Sequence, residues 1–139
     1  MKYLLIIMLL SVTSPKGARA DVDSIAVVAN IDRISMDISI QQIRNLFMGG
    51  VLSYDLRAIA LPTGSQTRVL FNTKVVGLTE SRIQSYWAQM RFSGRKKQPM
   101  ELANEALVIE YLQSHPGTIA YLPAEMELPV GLTVILLVK

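Results

Sequence analysis

Ala58-Ile59-Ala60-Leu61-Pro62-Thr63-Gly64-Ser65-Gln66-Thr67-Arg68 is the stretch on which the fold turns: an apolar run stops at a proline, crosses a glycine-serine turn and opens a helical pattern. A strand that feeds a helix through Gly, Ser and Thr leaves unpaired backbone N–H groups and short hydroxyls aimed at one spot. That arrangement suits an oxyanion. Gly64, Ser65, Gln66 and Thr67 are the candidate donors, with Arg68 as the neutralising charge. A plainer reading stands beside this one. Ser65 and Thr67 can simply cap the helix, which contributes about 1 kcal/mol, and Arg68 can be a solvated charge on its face.

Outward from that junction, helices alternate with apolar runs. Ser24 to Asn30 reads as a strand buried on both faces. Ser39 and Gln42 have capping-box spacing, and Ile40, Ile43, Leu46 and Phe47 recur at helical intervals until Gly49-Gly50. Arg57 to Leu61 is the second strand. The helix from Ser65 presents Val69, Leu70, Val75 and Val76 and stops at Gly77. Thr79 caps a third helix, Glu80 to about Met90, with Ile83, Tyr86, Trp87 and Met90 as its apolar stripe.

A loop from Arg91 to Pro99 follows, in which Arg91, Arg95, Lys96 and Lys97 form a possible partner contact and Phe92 is expected to pack inward. A fourth helix starts near Ala103 or Asn104, buries Leu107, Val108, Tyr111 and Leu112, and ends before Pro116-Gly117. Thr118 to Leu122 and Leu132 to Val138 complete the strands. The last is so evenly apolar that it is expected at the centre of the sheet. Helices interleaved with buried strands give an α/β sandwich.

The amino terminus has the anatomy of a secretory leader: Lys2, the apolar run Tyr3 to Leu10, then Ala18-Arg19-Ala20 before Asp21. About ten apolar residues fall well short of the ~20 that span a bilayer. Residues 1–20 are therefore expected to be a signal peptide cleaved after Ala20, and residues 21–139 one periplasmic domain not inserted in the membrane. Three of the 14 basic residues lie in the leader, so the remaining 11 balance the 11 acidic residues. A neutral domain gives no electrostatic case for nucleic acid. The chain has no cysteine and one histidine, His115, so neither disulfides, a metal centre nor a Ser-His-Asp triad is expected. His115 is expected at the carbonyl end of the fourth helix. No cofactor is implied.

Three motifs in order, Ser39 to Gly49 with its Ile-Arg-x-Leu-Phe-x-Gly core, Thr63 to Phe71, and Pro116-Gly117-Thr118-Ile119-Ala120-Tyr121, resemble the phosphate-binding family of periplasmic solute-binding proteins. The resemblance implies a single-lobe, type II periplasmic-binding-protein-like three-layer sandwich with a mixed sheet, equivalent to the second half of a clamshell. It also implies phosphate or a related oxyanion as ligand and a place beside an ABC transporter. Two departures stand in the loop. Gln66 replaces a family glycine, and Leu61 replaces a family arginine whose charge Arg68 would supply. The alternative is an accessory protein of an envelope complex that uses the fold for protein contact, through the Arg91–Lys97 segment or an exposed sheet edge.

Overall fold

The computed structural model describes residues 23–32 and 37–139. The predicted leader, residues 1–20, lies outside them. Strand β1 (Ile25–Asn30) leads to helix α1 (Ile40–Phe47), strand β2 (Arg57–Ala60) and helix α2 (Gln66–Phe71), which passes into a π-helical turn, Asn72–Val76. Helix α3 (Glu80–Ser93), strand β3 (Met100–Glu101), helix α4 (Glu105–Ser114), and strands β4 (Thr118–Pro123) and β5 (Thr133–Val138) follow.

The five strands form one mixed sheet in the order β3-β2-β4-β1-β5. β2 runs parallel to β3 and β4, whereas β1 runs antiparallel to both β4 and β5. β1 and β4 each bury five consecutive residues, so both faces of the centre are covered, and α2 and α4 pack on these two strands. An unbroken apolar run is what such a doubly covered strand requires. The result is a mixed α/β sandwich.

Local chemistry sets the helix ends. The Gln42 N–H donates to Ser39 Oγ at 3.2 Å and the Ser39 N–H returns to Gln42 Oε1 at 2.8 Å, closing the capping box of α1. Thr79 and Asn104 cap α3 and α4 by accepting from the N–H groups of Arg82 and Leu107. Gly77 and Gly94 end their helices at φ of 72° and 67°, a left-handed backbone that costs glycine nothing.

Four expectations are corrected. β5 is an edge strand and not a central one, because a uniformly apolar run reads alike in either place and the neighbours are decided by β1. α3 runs on to Ser93, carrying Arg91 and Phe92 on its last turn, since nothing before Gly94 breaks it. Leu107 is 41% exposed while Val108 and Leu112 are fully buried, so α4 presents a face rotated from the one its spacing suggested. Val69 is likewise half-exposed, and Phe71 points inward instead.

Candidate functional site

The β2–α2 junction forms as the sequence suggests, but its donors are spent inside the protein. Ser65 caps α2: its Oγ accepts from the Arg68 N–H at 3.3 Å, and its own N–H donates to Pro62 O at 3.1 Å. Thr67 is buried and its hydroxyl donates to Glu105 Oε1 at 2.8 Å. Gly64 and Gln66 are exposed. Among the described residues, only the N–H groups of Gln66 and Thr67 in this first turn are matched to no acceptor.

Arg68 is not a solvated charge. It is 6% exposed and all its reach is taken. Nε donates to Glu80 Oε2 at 3.0 Å and Nη2 to Glu80 Oε1 at 2.6 Å, while Nη1 bridges Leu61 O and Glu101 Oε1, both at 2.7 Å. This is the fork geometry in which arginine holds a carboxylate most firmly. Asn72, presented by the π-helical turn, adds a donor to Glu80 at 2.6 Å, and Gln84 adds another at 2.7 Å. Burial pushes the Glu80 carboxyl up, but hydrogen bonds from Arg68 and Gln84, the Arg68 charge and Asn72 together hold it below its ordinary value. For Arg68, burial pulls down and the two carboxylates more than compensate, leaving it raised.

Tyr121 forms the floor. Its hydroxyl accepts from the Leu61 N–H at 3.0 Å, and its ring stacks on Phe71 with centroids 3.9 Å apart at 9°. Burial is the main force that pushes its phenol up to about 12. Between Arg68, Glu101, Tyr121, Phe71 and Trp87 lies a cavity of about 30 Å³. That is room for a water or two and not for a tetrahedral oxyanion.

Chemically, the junction is thus a closed ion cluster with two spare amides. The basic segment lies elsewhere, with Arg91, Arg95, Lys96 and Lys97 exposed around the end of α3. Phe92, expected to pack inward, is 97% exposed, because the added turn of α3 swings it off the Ile83–Trp87 stripe. Nδ1 of His115 lies 2.9 Å from Tyr111 O, at the carbonyl end of α4. Sequence reasoning missed Glu80 and Glu101 as partners of Arg68, Asn72 as a donor to Glu80, and Tyr121 as the acceptor of the Leu61 N–H. Only Glu80 carried a local signal, as the acidic first-turn residue after a Thr79 cap. Among the described residues no helix is long and apolar enough to cross a membrane, and no cluster of potential metal ligands occurs.

No protein-family model matches this chain, and no curated protein matches it. Among solved structures it is similar to an ABC-type phosphate transport receptor from Vibrio cholerae, with a TM-score of 0.59 and 11% identity. The match covers 81% of this chain and 45% of the receptor, so the chain spans under half of that protein's length. At this identity the likeness concerns architecture: the chain has a periplasmic-binding-protein-like fold.

Proposed function

We propose that this chain is an exported, non-catalytic binding-protein-like lobe that serves as an accessory protein of an envelope complex, joining another polypeptide along β5. The observation that carries this reading is β5 itself. Among the described residues Thr133 to Val138 is an edge strand, and Val134, opposite Val28, and Leu137, opposite Ala26, are 48% and 52% exposed on one face of it. An outer sheet edge is a template for a further strand, and the apolar pair exposed beside it favours covering it. The β1–β5 register slips between Val27 and Val28, which makes Ile135 a bulge residue and confines regular pairing to either side of it.

A second reading, capture of phosphate or a related oxyanion, is favoured by the two unmatched N–H groups of Gln66 and Thr67. Two such bonds to an anion contribute about 3–6 kcal/mol, against at least ~4 of lost translational and rotational freedom. The remainder, about 2 kcal/mol at most, is weaker than the ~4.1 that millimolar binding needs. Arg68 is committed to Glu80 and Glu101 and adds no free charge.

The test pairs two measurements on the purified protein. Calorimetric titration with phosphate and sulfate is expected to give no heat. Association with an envelope polypeptide, followed by co-purification and sedimentation, is expected in the parent and lost in Leu137→Lys. Binding of phosphate at millimolar concentration or tighter, with association unchanged in Leu137→Lys, would overturn the first reading in favour of the second.

A further inference from the structure

The carboxyl end of α3 carries a patch that neither the β5 edge nor the Arg68 cluster uses. From Ser81 to Met100 the chain holds five basic residues and no acidic one. Four of them, Arg91, Arg95, Lys96 and Lys97, surround the Gly94 turn, and all are exposed. Among the described residues the only ion pairs are those of Arg68, so none of these four is neutralised by a carboxylate. In a domain whose 11 basic and 11 acidic residues cancel, this is a concentrated positive pole.

Phe92 stands in the middle of it at 97% exposure. An aromatic ring in full contact with water, flanked by bases, is not part of the core. It gains when it is transferred to an apolar medium. The tip is also braced. Gly94 closes α3 with its N–H donating to Arg91 O at 3.2 Å, and Lys96 reaches back to the Tyr86 hydroxyl at 3.4 Å. Gly49 packs so closely on the Lys96 stem and Trp87 that an added Cβ would lie 3.0–3.2 Å from them. Val51, two residues on from Gly49, is a second exposed apolar side chain on the adjoining loop.

We infer that this tip docks the protein on an anionic lipid surface, with Arg91, Arg95 and Lys97 at the headgroups and Phe92 entering the interface. A fully exposed aromatic ring among bases favours a bilayer over an acidic polypeptide, since the ring gains from an apolar medium that a chain of carboxylates does not offer. Charge is complementary: basic residues beside a negative leaflet draw the protein in, and an aromatic ring settles at headgroup depth. Lys96 is left out of the contact set because its stem is packed against Trp87 and Gly49.

The experiment is cosedimentation of the chain from Asp21, which holds every described core residue and omits the apolar leader, with vesicles of phosphatidylcholine alone or mixed with phosphatidylglycerol. The protein is expected to partition to the mixed vesicles only, and less so as salt rises. Arg95→Gln and Lys97→Gln are each expected to lower the partition coefficient about five-fold. Phe92→Ser is expected to lower it without altering the salt dependence, with an unchanged far-ultraviolet circular dichroism spectrum in all three. Equal partition to neutral vesicles, no partition at low salt, or partition indifferent to Arg95→Gln and Lys97→Gln would overturn the inference. So would retention on polyglutamate by a protein that ignores the mixed vesicles.

Discussion

Arg68 meets Glu80 side-on, two guanidinium nitrogens against two carboxylate oxygens at 3.0 and 2.6 Å, and thereby fastens α2 to the first turn of α3. Glu101 from β3 and the Leu61 carbonyl from the end of β2 complete the set around the guanidinium. One buried cation thus ties two helices and two strands.

Arg68→Ala is expected to destabilise the protein by about 3 kcal/mol, because Glu80 loses its countercharge and the Leu61 carbonyl its side-chain donor in a site that excludes most water. Arg68→Lys should recover only part of this, since an ammonium cannot present two parallel N–H groups. Urea unfolding reads both through the midpoint at constant slope. A parent-like midpoint for Arg68→Ala would show that the cluster is ornamental.

The depressed Glu80 carboxyl makes stability fall with acid. Its folded-state pKa lies below the unfolded value of about 4.3, so its contribution is present above that pH and is lost as pH falls through the lower folded value. Glu80→Gln should flatten the stability profile between about pH 5 and 3 relative to the parent. Urea midpoints collected across that interval measure the difference.

Tyr121 gives the opposite limb. With its phenol at about 12 in the folded protein and near 10 when unfolded, its contribution is complete below pH ~10 and is lost as pH climbs toward 12. Tyr121→Phe removes the acceptor of the buried Leu61 N–H and is expected to cost about 1–3 kcal/mol at neutral pH. Ultraviolet absorbance of phenolate should show one tyrosine that ionises only as the protein unfolds.

On α4, Leu112→Ala is expected to cost about 2–5 kcal/mol, whereas Leu107→Gln should change stability by less than about 0.5. Thermal unfolding of the two variants checks which face of the helix is inside. Equal losses would mean that Leu107 is also covered.

What could be read from residues alone was whatever near neighbours decide. The Ser39–Gln42 box, the Thr79 cap and the Ile83–Trp87 stripe each depend on contacts three or four residues apart, and they form as their spacing predicts. The buried runs of β1 and β4 were legible for the same reason. β5 was placed at the centre because apolarity reports that a strand is buried or wants covering, and says nothing of which strand lies beside it. Arg68 was misjudged in a similar way. Its partners stand 12 and 33 residues away in sequence, and no local pattern announces that two glutamates converge on it. Phe92 turned on one extra helical turn that only Gly94 ends.

The sheet order has a consequence for how the chain is assembled in time. Among the described residues β1 pairs only with β4 and β5, which begin at Thr118. β1 and its mates are therefore separated by some ninety intervening positions, a long loop to close before the sheet can zip. Helical segments can form early, but β1 finds its sheet partners only once β4 and β5 are present.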